Sequence, residues 1–387
     1  GGGKTKVKGY PEVMGEYPAA AMAEEITDAG DAGIKALVTV AGNPILSTPH
    51  SRQLSDAFEK LELMISVDLY LNETTRHADV ILPVPSQLQR DHYDVLLLQF
   101  AIRNVANYST PVLSLDDGQP DEWEILAKLG MIAQGLGPDA DPHLADDLAI
   151  EGLVRNSIGD HSSPIHGRNA DEIIDLLNVE GRRGPARMLD FMLQTGPYGA
   201  GFGTNTGGAS LQLLLDNPHG VDFGALESRL PDALRTRTGM IELAPEPLVA
   251  DVPRLLDSIE EFTKNRFVLV GRRHLKTNNS WMHNIQVLVK GNVRCSLQMH
   301  TDDAKSLDLL SESADEVFVS VTSRVGSVVV PVEISDDIRP GVVSLPHGWG
   351  HDHPGTRMRI AESLSGVNSN ILSDHEAMDP LSGTSVL

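Results

Sequence analysis

A short polar segment in the last third of the chain holds the side chains best suited to bind a ligand. Residues 271–284 contain three Arg or Lys side chains, three Asn amides, two hydroxyl side chains and one Trp indole. This composition suits neither a helix nor a core, so we predict a loop that leaves a strand at residues 266–270. Its many N–H donors suit a large polyanionic, heteroaromatic ligand. A solvated loop without a ligand is the alternative.

The charge of the whole chain makes the cations of this loop informative. The 387 residues carry a formal net charge of −23, which argues against non-specific binding to nucleic acid or to an anionic membrane surface. An anionic ligand would therefore have to be captured by local positive charge. Arg272, Arg273 and Lys276 supply that charge.

A second polar segment spans residues 346–354. Its imidazoles and one carboxylate could ligate zinc or iron, and they belong to His347, His351, His353 and Asp352. The Gly and Pro residues around them imply irregular backbone, so no helix would place the imidazoles on one face. We therefore favour a polar loop that lines a ligand cleft, with Trp349 packing on a flat ring.

Asparagine and aspartate side chains elsewhere suit a nucleotide. Asn368 and Asn370 offer paired donors and acceptors for a purine-like edge, with a structural role in a tight turn as the alternative. Asp68 follows an apolar stretch, where a carboxylate can accept two N–H bonds from a guanine or bond a ribose hydroxyl. Asp79 and His77 are expected to hold the next turn.

The chain contains one cysteine, Cys295. It cannot form a disulfide or a cysteine-based metal or Fe–S site within this sequence, and we expect a buried structural thiol. Scarcity of cysteine is typical of a reducing cytoplasm, which we predict as the location. The apolar runs, such as residues 95–98, are too short to span a bilayer, so no transmembrane segment is expected.

Alternating helices and apolar strands must position Asp68 and the turn at residues 42–44. The pattern predicts helices over residues 19–29 and 51–60, and strands over residues 34–41, 63–69 and 79–83. This alternation indicates a parallel sheet covered on both faces. Ligands of such sheets bind beyond the carboxyl ends of the strands, where Asn43 and Asp68 lie.

The rest of the chain divides by composition. We predict domains over residues 1–135, 136–262 and 263–387. The first ends in a helix over residues 121–135, and the second is an irregular helical and loop connection with short helices at residues 171–177 and 186–193. Residues 199–208 are rich in glycine but lack the frame of a phosphate-binding loop, so we predict a plain loop.

The third predicted domain is rich in short strands. Two apolar runs flank residues 324–326, which predicts a hairpin. A closed β-barrel is the expected architecture, because closure removes the exposed edges of many short strands.

Several of these segments, in this order, resemble the C-terminal half of a molybdopterin oxidoreductase of the DMSO reductase/formate dehydrogenase superfamily. The matching motifs are VAGNP at 40–44, DLYLNETTRHADVILP at 68–83, NNSWMHN at 278–284, LPHGWGH at 345–351, GVNSNILSD at 366–374 and DPLSG at 379–383. The resemblance covers most of the chain, from about residue 19 to the end, and is weakest over residues 135–250. Taken together, the motifs are highly specific.

The resemblance implies an α/β fold, with a partial Rossmann-like parallel sheet and helices followed by a C-terminal β-barrel of the double-psi type. It implies a bis(molybdopterin guanine dinucleotide) cofactor carrying molybdenum or tungsten. By motif, the guanosine-side contacts are Asn43, Asp68 and Asp121. The loop around the pterin and pyrophosphate carries Gly271, Arg272, Arg273, His274, Asn278, Asn279 and Ser280. Further implied contacts are His347, Trp349 and Asn370.

The resemblance also implies parts that this sequence does not contain. Family members have an N-terminal domain that commonly carries a four-cysteine Fe–S site, and a Cys, selenocysteine or Ser that ligates the metal. We therefore expect a fragment of an oxidoreductase similar to formate dehydrogenase or nitrate reductase, with the N-terminal half as its partner. Such a fragment would not turn over formate or nitrate alone.

Two other functions are open at this point. A truncated module could hold the molybdopterin cofactor without redox activity of its own. A dehydrogenase that uses NAD would fit the sheet pattern, but no Gly-x-Gly-x-x-Gly follows the first strand.

Overall fold

The computed structural model describes residues 2–179, 181–262, 267–291, 294–310 and 316–385, without the side chains of residues 260–262. The chain forms two compact units. Unit 1 comprises Gly1–Pro83 and Glu242–Leu387, and unit 2 comprises Val84–Ile241. Unit 1 is thus built from two separate stretches of sequence. The predicted division at residues 135 and 262 stays a prediction.

The strands of the described residues are β1 (Ala36–Val40), β2 (Leu63–Val67), β3 (Val80–Leu82), β4 (Arg103–Ala106), β5 (Val221–Ala225), β6 (Val268–Arg272), β7 (Leu297–Met299), β8 (Phe318–Thr322), β9 (Ser327–Ile334) and β10 (Val342–Pro346). The α-helices are α1 (Met22–Thr27), α2 (Pro44–Ser47), α3 (Ser51–Phe58), α4 (Glu122–Ala133), α5 (Pro142–Gly159), α6 (Ala170–Leu177), α7 (Pro185–Thr195), α8 (Leu211–Leu215), α9 (Glu246–Ala250), α10 (Val252–Phe262), α11 (Gln286–Val289), α12 (Thr301–Ser306) and α13 (Arg359–Glu362). Within the described part of the chain, no helix is both long enough and apolar enough to cross a membrane.

Three parallel strands form the first sheet of unit 1, in the order β1–β2–β3. Helices α2 and α3 lie in the crossover from β1 to β2, as parallel pairing requires. The apolar face of α3 packs into a core made of Ala23, Ile45, Leu54, Ala57, Phe58 and Met64. The predicted parallel sheet is confirmed. The helices that the structure describes do not cover one face of β1, since Val38 and Val40 are 52% and 47% exposed. The expectation of a sheet covered on both faces is therefore wrong at β1.

Five strands form the second sheet of unit 1, in the order β6–β10–β7–β9–β8. The β6–β10 and β7–β9 pairs are parallel, and the β10–β7 and β8–β9 pairs are antiparallel. The predicted hairpin at residues 324–326 is confirmed by the β8–β9 pair. Closure into a double-psi barrel is not confirmed, because the described strands form a mixed sheet with β6 and β8 at its ends. The predicted strand at 266–270 begins at Val268, and Arg266 lies outside the described residues.

Unit 2 is mainly helical, with α4 to α8 and a two-stranded β4–β5 ribbon. Helices α4, α6 and α7 confirm the three helices predicted here. The 18-residue helix α5 has no counterpart among the predicted elements. Asp141 caps it by accepting the N–H of His143. Its apolar stripe is interrupted by Asp146, which is buried in a 2.7 Å pair with Arg187, and this polar pair hides the helical pattern.

Candidate functional site

Asn43 and Asp68 lie where the sequence predicts them, at the carboxyl edge of the parallel sheet in unit 1. Asn43 follows β1, and Asp68 is the first residue after β2. The Asp68 carboxylate accepts the N–H of Tyr70 at 2.9 Å and the side-chain amide of Asn72 at 3.1 Å. Burial raises the pKa of Asp68, against these two hydrogen bonds. The carboxylate holds the turn and keeps capacity to accept further N–H groups.

Glu73 joins this edge of the sheet to the C-terminal loops. Its side chain is fully buried. One carboxylate oxygen, Oε2, accepts the Asn43 amide at 2.8 Å, and the other, Oε1, accepts the ring N–H of His351 Nδ1 at 2.8 Å. Asn43 in turn accepts the hydroxyl of Thr74 at 2.7 Å. A single carboxylate therefore bridges two segments that were predicted separately.

The imidazole of His351 continues this network to a second ring. His351 Nε2 lies 2.7 Å from His283 Nδ1, and the His283 ring lies against the Trp349 indole with centroids 4.1 Å apart. All three side chains are buried. Trp349 thus packs on a flat ring, which is that of His283. Both ring nitrogens of His351 have protein partners, so His351 cannot serve the metal site considered for residues 346–354.

The two ends of the network differ in charge. Burial would raise the pKa of Glu73, but the hydrogen bonds from His351 and Asn43 hold that pKa below its usual range. Burial lowers the pKa of His283 to about 3, and His351 and His274 add to this effect. The network therefore keeps an ionised carboxylate at one end and a neutral imidazole at the other.

Two glycines allow the loop after β10 to touch its neighbours through backbone. A Cβ on Gly348 would lie 2.3 Å from the carbonyl oxygen of Asn279, and a Cβ on Gly350 would lie 2.6 Å from the Cβ of Asn368. Both glycines have positive φ, +86° and +113°, which L side chains rarely adopt. The loops that carry the predicted ligand contacts are thus packed directly against one another.

Arg272, at the end of β6, donates mainly to the protein itself. Its guanidinium binds the carbonyl oxygens of Ser344 at 3.0 Å and Ser296 at 2.9 Å, and its Nε donates to His274 Nε2 at 3.3 Å. Burial lowers the pKa of Arg272. The bond to Ser344 ties β6 to β10, where Gly271 pairs with Leu345, and the bond to Ser296 ties β6 to the residue before β7. Arg272 therefore has fewer free donors for a pyrophosphate than the sequence suggests.

The next residues of the loop face outward. Arg273, Lys276 and Asn278 are exposed, whereas Ser280 is buried. Arg273 donates to the side-chain oxygen of Asn279. Asn278 and Asn279 have φ of +42° and +58°, in the left-handed region that asparagine tolerates. Because Arg273 and Lys276 are exposed, their positive charges are available to an anion.

A cleft of about 670 Å³ in unit 1 is lined by Arg272, His274, Arg294, Ser296, Gln298, Glu316, Pro331, Val332 and Glu333. Burial, together with the charges of Arg272 and Arg294, lowers the pKa of His274. In the part of the chain that the structure describes, His274 Nδ1 and Trp349 Nε1 are buried without a hydrogen-bond partner. Since such an atom costs about 1–3 kcal/mol, both fit the polar groups of a ligand.

Asn368 and Asn370 are engaged by the segment that follows Asn43. Their amide groups donate to the carbonyl oxygens of Ile45 at 3.0 Å and Leu46 at 2.8 Å. Both side chains are buried. These bonds fix the loop around α2, so the structural alternative accounts for part of their chemistry, and the contact of Asn370 with a pterin stays a prediction.

Three further residues that the sequence singles out are partly or fully enclosed by the protein. His347 is half-buried, and burial with the charge of Arg273 lowers its pKa. Asp121 belongs to unit 2, where it is the N-cap of α4 in a capping box with Glu124. Cys295 is buried as predicted, and burial raises its pKa to about 11.

The two expected turn residues attach their turn to β2 and α3. Asp79 accepts the N–H of Met64 at 2.7 Å, and the His77 ring bonds the Ser55 hydroxyl at 3.1 Å. Sequence reasoning missed Glu73 and His283. The one available signal for both is their position inside the two motifs at 68–83 and 278–284.

A protein-family comparison selects the same C-terminal region. Residues 267–387 match the family described as "Molydopterin dinucleotide binding domain". This range contains β6 to β10 and the loops that hold His274, His283, Trp349 and His351.

Three relatives are similar to this chain over longer stretches than the matched domain. The catalytic subunit of the assimilatory nitrate reductase of Bacillus subtilis (strain 168) is 28% identical over 155 residues, which cover 38% of this chain and 20% of that protein. The alpha subunit of the F420-dependent formate dehydrogenase of Methanocaldococcus jannaschii is 24% identical over 343 residues, 87% of this chain and 42% of that protein. A putative dimethyl sulfoxide reductase catalytic protein of Halobacterium salinarum is 26% identical over 306 residues, 78% of this chain and 31% of that protein. The chain thus spans less than half the length of each.

The fold is similar to that of acetylene hydratase from Pelobacter acetylenicus. The TM-score is 0.53 at 17% identity, and the match covers 95% of this chain and 45% of that chain. The chain therefore contains a molydopterin dinucleotide binding domain at residues 267–387 and is a homologue of the molybdopterin oxidoreductases.

Proposed function

We propose that unit 1 binds a molybdopterin guanine dinucleotide, in the bis form and with molybdenum or tungsten, as part of an oxidoreductase similar to formate dehydrogenase or nitrate reductase. The observation that carries the proposal is the packing of residues 271–280 against residues 347–349 inside the matched domain. This loop cluster buries two polar atoms, His274 Nδ1 and Trp349 Nε1, that have no partner among the described residues.

The donor set of the loops fits the parts of such a cofactor. The exposed cations Arg273 and Lys276 can bind a pyrophosphate. The Asp68 carboxylate can accept N–H groups of guanine or a ribose hydroxyl. The remaining proposed contacts in unit 1 are Asn43, Gly271, Arg272, His274, Asn278, Asn279, Ser280, His347, Trp349 and Asn370. The contact of Asp121, which belongs to unit 2, stays a prediction from the sequence motif alone.

The chemistry of the reaction would belong to the cofactor, which supplies redox change at its metal when bound, and the protein supplies placement and electrostatics. In this chain, the backbone contact at Gly348 and the Glu73 network hold the loops in place. The Fe–S site and the metal ligand are proposed to lie in an N-terminal partner region, and the cytoplasmic location stays a prediction.

Retention of the dinucleotide tests the proposal. The chain is produced in a host that makes the cofactor, purified, denatured, and the released dinucleotide is quantified by mass spectrometry. We expect near-stoichiometric dinucleotide on the wild type and at least about tenfold less on Arg273→Ala/Lys276→Ala, since two charge-assisted bonds are lost. Arg155→Ala, which removes an exposed cation paired with Glu151 in unit 2, is the control. Equal loss in both variants would contradict a role for this loop.

The second candidate is a cofactor-binding module without redox activity of its own. The observation that favours it is the same loop cluster, whose exposed cations and buried atoms without a partner among the described residues are groups that bind a ligand. Purified, cofactor-loaded chain is assayed for dye reduction with formate or for dye oxidation with nitrate. Bound dinucleotide without turnover supports this candidate, and turnover by the chain alone contradicts it.

A further inference from the structure

We propose that Glu73 is a positioning residue of the candidate site, which sets the positions of the protons on His351 and, through it, on His283. The proposal deepens the proposed function, and its cofactor readout rests on that function. Its spectroscopic readout does not, so the failure of one can be told from the failure of the other.

The direction of each hydrogen bond follows from the chemistry of the carboxylate. An ionised carboxylate only accepts, so Asn43 must present its NH₂ group to Glu73, at 2.8 Å. The amide oxygen of Asn43 then faces Thr74, whose hydroxyl donates to it at 2.7 Å. Thr74 also accepts the backbone N–H of Ile45 at 3.2 Å. The order of donors and acceptors is therefore fixed on this side of Glu73.

The same argument determines which nitrogen of His351 carries a hydrogen, on the other side of Glu73. Glu73 Oε1 requires a hydrogen on His351 Nδ1, which lies 2.8 Å away. For a neutral His351, Nε2 is then the acceptor, and the hydrogen of the 2.7 Å bond lies on His283 Nδ1. Glu73 thereby controls a ring that lies 4.1 Å from the Trp349 indole. All of these side chains are buried, so their hydrogen bonds are shielded from bulk water.

The Glu73→Gln substitution keeps nearly the same side-chain shape. It reverses the order of hydrogen-bond donors and acceptors from residue 73 to His283. Asn43 still requires an acceptor, so the Gln oxygen faces Asn43 and the Gln NH₂ faces His351 Nδ1. His351 must then carry its hydrogen on Nε2, and His283 must accept at Nδ1. We expect ¹⁵N spectra of histidine-labelled protein to show both changes, with the two rings assigned from His283→Asn and His351→Asn.

The double variant Asn43→Asp/Glu73→Gln restores the original order. The carboxylate introduced at position 43 accepts from both Thr74 and the Gln NH₂, so the Gln oxygen again faces His351 Nδ1. The expected spectrum has the hydrogen of His351 back on Nδ1 and that of His283 on Nδ1. Each hydrogen bond is kept, and only the negative charge has moved.

The outcomes decide the proposal. The proposal is supported if Glu73→Gln moves the hydrogens of His351 and His283 to the other ring nitrogen and the double variant returns them to Nδ1. The proposal is overturned if Glu73→Gln folds and both hydrogens stay on the same ring nitrogens as in the wild type. If Glu73→Gln does not fold, the double variant decides alone: a folded protein with wild-type ring protonation supports the proposal, and an unfolded protein or inverted rings overturn it.

The cofactor readout compares Glu73→Gln with Glu62→Gln, a 68% exposed carboxylate that pairs with Lys35. We expect Glu73→Gln to retain about tenfold less dinucleotide, since misdirecting a buried hydrogen bond disturbs the loops that would hold the ligand, and Glu62→Gln to match the wild type. Equal retention by both variants overturns the positioning role. If no protein, including the wild type, retains dinucleotide, the proposed function fails, and the ring spectra still decide the role of Glu73.

Discussion

Glu73 Oε1 and His351 Nδ1 lie 2.8 Å apart, although 278 positions separate the two residues in the chain. Both side chains are completely buried. One belongs to the turn after β2 and the other to the loop after β10, so this pair fastens the two sequence segments of unit 1 to each other. A buried pair of this kind is costly to break from one side, because the remaining charge loses its partner.

His351→Ala is expected to destabilise unit 1 by at least about 1–3 kcal/mol, since the buried Glu73 carboxylate is left with Asn43 alone among its side-chain partners. Urea unfolding at neutral pH measures the change. The control is His353→Ala, two residues away, where the imidazole is half-buried. A loss of less than about 1 kcal/mol in His351→Ala, within the range of an exposed pair, would contradict the role given to this pair.

The stability of unit 1 is expected to fall as the pH drops below about 6.5. His283 has an ordinary pKa of 6.5 when unfolded and a pKa of about 3 when folded, because of burial first and His351 and His274 next. The unfolded chain therefore binds a proton at a pH where the folded chain does not. Stability is complete above pH 6.5 and decreases by about 1.4 kcal/mol per pH unit from there toward pH 3. Glu73, with its lowered pKa, adds a further loss below its ordinary value of 4.5.

Urea unfolding between pH 5 and pH 7.5 tests this dependence. His283→Gln should flatten the pH dependence, whatever its effect on stability at pH 7.5. His77, whose pKa burial and Arg76 lower to about 4, should account for part of the remaining slope. His274 and His347, whose pKa values burial also lowers, should account for more of it. An identical slope in the wild type and His283→Gln would show that His283 is not the group responsible.

Gly348→Ala is expected to disrupt the loop cluster. The new Cβ would lie 2.3 Å from the carbonyl oxygen of Asn279, and overpacking of this kind costs about 1–3 kcal/mol. Gly355→Ala is a matched control, since Gly355 has a φ of +89° close to the +86° of Gly348 but open space around it. Unfolding and dinucleotide retention are measured for both. Equal effects would mean that backbone strain alone, and not the close approach, explains the result.

Arg272 and Arg273 are expected to differ in role. Arg272→Lys should lower the free energy of unfolding by about 1–3 kcal/mol, because an ammonium group cannot replace both bonds to the carbonyls of Ser344 and Ser296. Arg273→Lys keeps the positive charge of an exposed side chain, so its stability should match the wild type within about 0.5 kcal/mol. Unfolding curves of the two variants provide the test, and a reversal of this order would contradict the assignment.

The sequence was sufficient for the parallel sheet because its strands and helices have regular spacing. Asn43 and Asp68 could be placed at the sheet edge from the positions of β1 and β2 alone. Helix α5 was not predictable, because the buried pair of Asp146 and Arg187 puts charge where an apolar residue was expected.

The site was harder to predict than the sheet. The motifs selected loops that pack against one another in the structure, but the donors of Arg272, Asn368 and Asn370 turn inward to backbone carbonyls. Glu73 and His283 gain their significance from partners distant in sequence, and no local pattern reports such partners. The exposure of Arg273 and Lys276 follows from local sequence, since it requires no partner distant in the chain.

Native mass spectrometry of the chain, purified from a host that makes the cofactor, tests the central claim most directly. We predict a mass above the 41.8 kDa of the chain by the mass of bound molybdopterin guanine dinucleotide, and loss of that increment in Arg273→Ala/Lys276→Ala. A chain that carries no dinucleotide, or that carries NAD in its place, would contradict the account.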